Sequence, residues 1–255
     1  MPTGFKLNKI YTVGSCKGRG FIADRSLGWA LKRFDSRCFL LSHPLMGLVL
    51  IDTGYGEALN TCTKKGVYSL YRKLLPFDYG SDDSLISQLK KDGIEPSDLA
   101  YLVITHFHPD HIGALPAFAK VPWIYHKEAL AQLQKMSLLK QLRKGFFPPL
   151  VPNIPSGSMA IDTFPLVRHG LRAHSLFDDD SLFLIDLPGH ALGQMGVLID
   201  GHFFVADALW GGVDRPSWLG LTIQDNPRAY MATYRTIKQI KAPIKVFPTH
   251  KIGAL

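Results

Sequence analysis

Short apolar runs alternate with amphipathic segments along the chain, and this pattern predicts strands interleaved with helices. The runs 99–105 (LAYLVIT) and 182–187 (LFLIDL) are dominated by aliphatic and β-branched residues, as is typical of buried strands. Segments 38–42 and 48–51 flank a short turn that contains proline and glycine, and they predict a hairpin. Strands that alternate with helices favour an α/β architecture of packed layers.

The second half of the chain repeats this pattern with shorter strands. Asp200-Gly201 separates the apolar runs 196–199 and 202–205, which is a strong signal for a two-residue hairpin turn. The run 244–247 predicts one more strand near the end of the chain. Each half therefore supplies several strands, as a sandwich of two sheets requires.

Three segments have the apolar spacing of amphipathic helices, namely 84–91, 128–143 and 227–240. The segment 128–143 (EALAQLQKMSLLKQLR) is the clearest of them, and Gly145 is expected to end it. The leucines of this helix have the spacing of a face that packs onto the protein core.

Composition indicates a chain that can bury one large core. Of the 255 residues, 46% are hydrophobic and 20% are charged, so residues 1–255 are expected to form one domain or one duplicated two-layer unit. The three cysteines are too few for a disulfide framework, and their odd number argues against an oxidising compartment. Neither a membrane span nor an apolar leader segment is apparent, so the expected location is cytoplasmic.

The net charge of +8 raises the question of an anionic partner. Lysine and arginine are spread along the chain without a tract of five or more, and no RNA-binding motif is present. We therefore expect a small-molecule substrate and do not expect nucleic acid as a partner. The sequence does not indicate an oligomeric state.

The densest chemical signal is the run HFHPDH at residues 106–111, directly after the strand predicted at 99–105. Three histidines and one aspartate supply imidazole nitrogen and carboxylate oxygen, which divalent transition metals bind in hydrolytic sites. A polar turn with its histidines in solvent is the alternative interpretation. Four residues of these types within six positions favour the metal site.

The order of residues in this run indicates how metals could be shared. Pro109 forbids a helix through the middle of the run, so we predict that the ligands lie on a loop. In an extended loop His106 and His108 point the same way and can hold one metal. Asp110 and His111 then turn toward a neighbouring position, which predicts a site for two metals.

Further candidate ligands follow other predicted strands. His190 comes after Pro188-Gly189 at the end of the run 182–187, and Asp207 follows the run 202–205. His250 comes after the last predicted strand. Each candidate therefore lies where a strand ends, and strand ends are a common location for site residues in layered α/β folds.

Five ordered motifs resemble those of the metallo-β-lactamase superfamily. They extend from about residue 38 to residue 250 and are, in order, Asp52-Thr53-Gly54, the HxHxDH run at 106–111, Pro188-Gly189-His190, Ala206-Asp207 and Thr249-His250. The resemblance implies an α/β (α+β) fold, the four-layer αββα sandwich of that superfamily.

The resemblance also implies a ligand set for two divalent ions. His106, His108 and His190 would hold the first metal. The second metal would be held by Asp110, His111 and His250. Asp207 would bridge both, and Asp52 would support the loop from behind and orient a ligand imidazole. Zinc is the default expectation, with manganese or iron also compatible with nitrogen and oxygen ligands.

The expected chemistry is hydrolysis by a hydroxide that bridges the two metals. Paired metals lower the pKa of a shared water toward neutrality, and one of them polarises the scissile carbonyl or phosphoryl oxygen. Asp110 is the predicted catalytic residue, because it can take the water's proton and deliver it to the leaving group. The chain lacks a GxSxG elbow, a P-loop and a CxxC pair, so the competing nucleophile and nucleotide interpretations are unsupported.

Two segments look inserted relative to a minimal version of this fold, near 59–79 and 127–158. Both are rich in apolar side chains, and we expect them to form walls of a substrate pocket over the metals. Phe146 and Phe147 in the second segment are candidate substrate contacts, with core packing as the alternative. Trp210, shortly after Asp207, is a further candidate.

The substrate class follows less directly from these motifs. Asp207 stands where true β-lactamases of the superfamily typically have cysteine, whereas lactonases for N-acyl homoserine lactones share the aspartate pattern. Those lactonases usually have tyrosine three residues after the aspartate, and this chain has Trp210. We therefore expect hydrolysis of a small, partly apolar ester or lactone. The alternatives are a phosphodiesterase or nuclease, a mononuclear iron enzyme that oxidises sulfur as persulfide dioxygenases do, and a metal-free binding module.

Overall fold

Two β-sheets form the centre of the molecule in the computed structural model, which describes residues 4–177, 179–211 and 214–254. Within these residues the strands, in chain order, are β1 (Lys6–Arg19), β2 (Leu31–His43), β3 (Gly47–Ile51), β4 (Phe77–Asp78), β5 (Leu99–Val103), β6 (Trp123–His126), β7 (Met159–Ile161), β8 (Leu166–Arg168), β9 (Leu171–Ser175), β10 (Phe183–Asp186), β11 (Met195–Ile199), β12 (His202–Ala206), β13 (Lys245–Pro248) and β14 (His250–Gly253).

The pairing of the strands determines which residues at strand ends come close together. The first sheet has the order β4-β1-β2-β3-β5-β6-β7, with β14 also paired to β2. The second sheet has the order β13-β12-β11-β10-β9-β8. β3 runs parallel to β5, and β12 runs parallel to β13. Since the carboxyl ends of parallel strands meet at one edge of a sheet, the residues after these four strands are brought together.

The helices are short and cover the outer faces of the two sheets. Within the described residues they are α1 (Gly20–Ala23), α2 (Glu57–Cys62), α3 (Ser69–Leu74), α4 (Leu85–Lys91), α5 (Pro109–Ile112), α6 (Lys127–Lys135), α7 (Leu138–Arg143), α8 (Trp218–Thr222) and α9 (Pro227–Lys238). None of them has the length and apolar character needed to cross a bilayer.

Alternation along β3 shows how the layers pack. Leu50 belongs to a core cluster shared with α4 and α6, whereas Val49 belongs to a cluster that includes Leu184 of the second sheet. Successive residues of a strand point to opposite faces, so the first sheet packs on helices with one face and on the second sheet with the other. Ile237 of α9 packs on the far face of the second sheet. The predicted four-layer αββα sandwich is therefore confirmed.

The predicted continuous helix over 128–143 was wrong, because two separate helices occupy that segment. Met136 and Ser137 both have extended backbone, with ψ of 150° and 154°, and they separate α6 from α7. The break frees carbonyl groups at the end of α6, and Gln141 Nε2 donates a hydrogen bond to the carbonyl of Leu133 at 3.1 Å. A side chain from the second helix thus satisfies the end of the first.

The prediction that residues 106–111 lie on a loop was correct only for the first half of the run. His106 and His108 lie outside regular secondary structure, and His108 has extended backbone, but Pro109 begins the short helix α5, which contains Asp110 and His111. Proline is tolerated in the first turn of a helix because its missing N–H would have no partner there. Pro109 therefore marks the start of a helix in this run.

Candidate metal centre

The first group of candidate ligands lies at the end of β5 and in the loop after β10. It contains His106, His108 and His190, whose potential ligand atoms all lie within 4.8 Å of one another. Nδ1 of His108 and Nε2 of His190 are 3.0 Å apart. These are the three histidines that the resemblance assigns to one metal.

The second group combines two residues of α5 with the first residue of β14. It contains Asp110, His111 and His250, again with potential ligand atoms within 4.8 Å of one another. Nε2 of His250 is 3.2 Å from Oδ2 of Asp110. Asp110 and His250, which are 140 positions apart, meet because β14 pairs with β2 beside the start of α5.

Asp207 lies between the two groups. Its Oδ1 is 3.3 Å from Nε2 of His111, and its Oδ2 is 3.4 Å from Nε2 of His190 and 3.3 Å from Nε2 of His250. The carboxylate therefore touches imidazoles of both groups, as a bridging ligand must. The three carboxylates of the site, at Asp52, Asp110 and Asp207, have imidazole but no lysine or arginine partners within the described residues.

Asp52 holds two of the imidazoles from behind. Nδ1 of His111 donates a 2.7 Å hydrogen bond to Oδ2 of Asp52. The same oxygen accepts from the Thr105 hydroxyl at 2.8 Å, and Nδ1 of His106 lies 3.1 Å from that hydroxyl oxygen. Asp52 therefore orients His111 directly and His106 through Thr105. The backbone of Asp52 has φ of +58°, a strained value for a residue with a side chain.

The imidazoles of His190 and His250 accept their orientation from groups that the sequence did not indicate. Nδ1 of His190 donates to Oε1 of Gln224 at 2.8 Å, and Nδ1 of His250 donates to the backbone carbonyl of Asp35 at 3.0 Å. The Gln224 side chain is itself fixed, because its Nε2 donates to the Gly220 carbonyl at 2.8 Å. In the neutral imidazole, an Nδ1 that donates a hydrogen bond leaves Nε2 without a proton, so Nε2 can serve as the ligand atom.

Three buried polar atoms in the site have no hydrogen-bond partner within the described residues. They are Nε2 of His106, Nε2 of His111 and Oδ1 of Asp207; the last two lie 3.3 Å apart but do not have the geometry of a hydrogen bond. Buried polar atoms are almost always satisfied, so three unsatisfied atoms in one cluster call for a ligand. A nitrogen and oxygen donor set of this kind fits divalent transition metals.

The pKa values of the imidazoles are shifted in two directions: they are lowered at His106 and His108 and raised at His111. Burial holds the pKa of His106 well below its ordinary value and that of His108 at about 3, so both are neutral donors at pH 7. Burial also opposes charge on His111, but the carboxylates of Asp207 and Asp52 outweigh it and raise its pKa to about 10. Burial raises the pKa of Asp110, yet the hydrogen bond from His250 and nearby imidazoles bring it down to about 2.

A cavity of about 440 Å³ opens over both groups. His108, Asp110, His190, Asp207 and His250 form its polar floor. Its walls are mainly apolar and include Phe34, Tyr71, Leu74, Leu75, Leu142 and Ile223. Tyr71, Leu74 and Leu75 belong to the segment near 59–79, and Leu142 to the segment near 127–158, which were expected to form the walls.

The three candidate substrate contacts, Trp210, Phe146 and Phe147, differ in their position relative to the cavity. Trp210 lines the cavity, and its indole N–H donates to Oδ2 of Asp207 at 3.2 Å. Phe146 and Phe147 do not line it: each is 1% exposed and belongs to the core beneath the wall. Their burial in the core contradicts the expected contact with substrate, and Leu142 of the same segment lines the cavity instead.

A family model described as metallo-beta-lactamase superfamily matches residues 31–250. A probable metallo-hydrolase of Mycobacterium bovis is 30% identical over 180 residues, which cover 65% of this chain and 55% of that protein. An N-acyl homoserine lactonase of a Bacillus species is 27% identical over 166 residues, covering 64% of this chain and 57% of the relative. The chain thus spans a little over half the length of these relatives.

Solved structures share the fold at lower identity. One is an AiiA variant of Bacillus thuringiensis with N-decanoyl-L-homoserine bound at its active site, with a TM-score of 0.73, 18% identity and coverage of 97% of this chain and 94% of that one. Another is AidC, a dizinc quorum-quenching lactonase, with a TM-score of 0.65, 16% identity and coverage of 98% and 93%. Together with the family match over residues 31–250 and the ordered motifs, these likenesses show that the chain belongs to the metallo-beta-lactamase superfamily.

Proposed function

We propose that the protein is a metal-dependent hydrolase that cleaves an ester or lactone bond in a small, partly apolar molecule, with N-acyl homoserine lactones as the leading class. The observation that carries the proposal is the position of two His/Asp groups on the floor of a cavity with mainly apolar walls. The names of the Bacillus relatives, which are N-acyl homoserine lactonases, support the lactone.

The proposed centre holds two divalent ions, with zinc as the expected metal and manganese or iron as alternatives. His106, His108 and His190 would hold one ion. Asp110, His111 and His250 would hold the other, and Asp207 would contact both. Asp52 and Gln224 fix imidazoles from outside. When bound, such a pair of ions activates a water molecule and polarises the oxygen of the scissile carbonyl.

Asp110 is the proposed catalytic residue. Its carboxylate lines the cavity and stays ionised at neutral pH, so it can accept the proton lost by the attacking water. The same oxygen then returns that proton to the leaving alkoxide, and the carboxylate is regenerated. No side chain forms a covalent bond to the acyl group in this scheme.

The walls of the cavity select for an apolar tail in this proposal. Leu75, Leu142 and Ile223 offer aliphatic surface beside the floor, and each buried CH₂ of a tail adds up to about 0.8 kcal/mol. Exposed cations at Arg19 and Arg143 also line the cavity and suit a polar or anionic end of the substrate.

The test is a panel of lactones, carboxylic esters, thioesters and phosphodiesters with graded tails, assayed with zinc-, manganese- and iron-loaded protein. We expect lactones or esters to be hydrolysed with kcat/KM that rises with tail length. In ¹⁸O-labelled water a single turnover should place the label in the product acid. An acyl group trapped on a side chain would contradict the mechanism.

The same panel separates the alternatives. A preference for short phosphodiesters, without gain from tail length, would favour a phosphodiesterase and make the +8 charge relevant. Dioxygen consumption with a persulfide would favour an iron-dependent sulfur oxidation. A protein that binds no metal under any loading condition would be a metal-free binding module.

A further inference from the structure

Tyr71 of α3 combines three features that no other residue in the described lining of the cavity has. It lines the cavity beside Asp110, it carries a neutral hydroxyl, and its ring is fixed by aromatic neighbours. Edge contact with Phe147, at 5.3 Å between ring centroids and 83° between planes, and a tilted contact with Phe77 at 6.2 Å hold the ring. A fixed ring places its hydroxyl reproducibly, which is the requirement for a useful donor.

The other potential donors of the described cavity lining are committed, charged or weak. The indole N–H of Trp210 donates to Asp207, and the Lys144 ammonium donates to Asp225 at 2.7 Å. Arg19 donates to the backbone carbonyl of Trp29 at 3.0 Å. The Cys16 thiol is a weak donor. Tyr71 is therefore the one neutral hydroxyl among the side chains described around the cavity.

The surroundings of Tyr71 keep its hydroxyl protonated. Burial and the negative charge of Asp110 raise the pKa of Tyr71 well above its ordinary value. A tyrosine hydroxyl has an ordinary pKa of about 10, so Tyr71 presents an O–H to the cavity near neutral pH. Tyr55 is stacked on Phe77, is fully buried and does not line the cavity, and its hydroxyl interacts with the Tyr71 oxygen as a donor, which leaves the Tyr71 O–H available.

We propose that the Tyr71 hydroxyl donates a hydrogen bond to the substrate's acyl oxygen, where negative charge develops as the tetrahedral species forms. The inference rests on the proposed ester or lactone hydrolysis. It assigns a catalytic contact to a residue of the segment near 59–79, which lies outside the five ordered motifs. Phe147, although buried, would then serve the site as the support of this ring.

The test compares metal-loaded wild-type protein with Tyr71→Phe and Tyr68→Phe. Both substitutions remove one hydroxyl and leave a ring packed against Phe147, but Tyr68 does not line the cavity. For Tyr71→Phe we expect kcat on the best lactone or ester to fall by about 10²-fold, with KM changed by less than about threefold. Tyr68→Phe should keep both constants close to those of the wild type.

A binding measurement gives a second readout that does not depend on turnover. The probe is a hexyl methylphosphonate, whose anionic oxygens mimic the tetrahedral species, titrated by calorimetry. We expect Tyr71→Phe to bind it about tenfold more weakly than wild type or Tyr68→Phe, since a hydrogen bond to a charged acceptor is lost. In 3-fluorotyrosine-labelled protein the ¹⁹F resonance that is missing from Tyr71→Phe should shift when the phosphonate binds.

The outcomes separate this inference from the proposed function. Equal phosphonate affinity in wild type and Tyr71→Phe, or a Tyr71 resonance that does not move, would overturn the role of Tyr71 even if lactones are hydrolysed. A wild-type protein that hydrolyses nothing in the panel would overturn the proposed function, and the phosphonate comparison would still decide on Tyr71. Failure of the wild type to bind the phosphonate would overturn both.

Discussion

Nδ1 of His190 donates a 2.8 Å hydrogen bond to Oε1 of Gln224, a buried residue two positions after the end of α8. The amide orientation is set by the second bond of Gln224, from Nε2 to the Gly220 carbonyl. The hydrogen bond to Gln224 fixes the tautomer of His190, a candidate ligand. Gln224 lies in a segment that none of the sequence motifs includes. A hydrogen bond of this kind orients the imidazole and increases its basicity toward a metal.

Replacing Gln224 should therefore weaken metal binding without removing a ligand. We expect Gln224→Leu to lower the affinity for one metal equivalent by about 10- to 100-fold, measured by competition with a chromophoric chelator. Gln224→Glu keeps the acceptor and should restore most of the affinity. Unchanged affinity in Gln224→Leu would show that the bond to His190 does not orient a ligand.

Asp207 and His108 should differ in how many metals their loss affects. His108 belongs to one group, whereas Asp207 contacts imidazoles of both. We expect His108→Ala to reduce bound metal from about two equivalents to about one, and Asp207→Ala to weaken both, by elemental analysis after dialysis. His202→Ala, outside these groups, is the control. Full loading of Asp207→Ala would contradict a bridging position.

Phe147 should affect stability in proportion to its burial. Because the side chain is 1% exposed within the core, Phe147→Ala should lower the free energy of unfolding by about 3–5 kcal/mol. Leu139→Ala removes an apolar side chain that is 69% exposed and should change it by less than about 0.5 kcal/mol. Urea unfolding of both variants measures the difference, and a small effect for Phe147→Ala would place that residue outside the core.

Leu142 should control the dependence on tail length if the proposed substrate class is right. Leu142 lines the cavity, whereas Leu139 on the same helix faces solvent. We expect Leu142→Ala to lower kcat/KM for long-tailed substrates by about 10-fold, consistent with loss of about two buried methylene contacts, and to leave short-tailed substrates nearly unaffected. Leu139→Ala is the matched control. Equal losses on long and short tails would show that the wall does not bind the tail.

Asp24 should contribute to stability at neutral pH and lose that contribution in acid. Burial alone would raise the pKa of Asp24, but hydrogen bonds from Ser26, Arg215 and Asp214 outweigh it and hold the pKa below the ordinary 3.8. A lowered folded-state pKa stabilises the fold above the unfolded value, and this stabilisation is lost as the pH falls through the folded pKa.

We therefore expect Asp24→Asn to lower the free energy of unfolding at pH 7 by about 1–3 kcal/mol. The gap to the wild type should stay constant down to about pH 5 and narrow below that, because the wild type then becomes protonated as well. Urea unfolding from pH 7 to pH 3 measures this gap, with Asp82→Asn, an exposed aspartate, as the control. A gap that does not change with pH would mean that the charge of Asp24 is not responsible.

The sequence determined the layered fold and the location of the candidate ligands. Periodicity is a local property, so the strands at 99–103 and 183–186 and the helix at 85–91 could be predicted nearly to the residue. The dense HFHPDH run and the strand ends before His190, Asp207 and His250 were also visible locally. Parallel pairing then brings such strand ends together, which explains why order along the chain was informative.

Only the tertiary structure decided which other side chains complete the site. Gln224 lies 34 residues after His190 and Tyr71 lies 39 residues before Asp110, and neither has a local pattern that marks it. The break between α6 and α7 was hidden because its apolar spacing continues through Met136-Ser137. Leu142 lines the cavity, whereas Phe147 is buried in the core. Such assignments depend on packing between distant segments, which a local pattern does not encode.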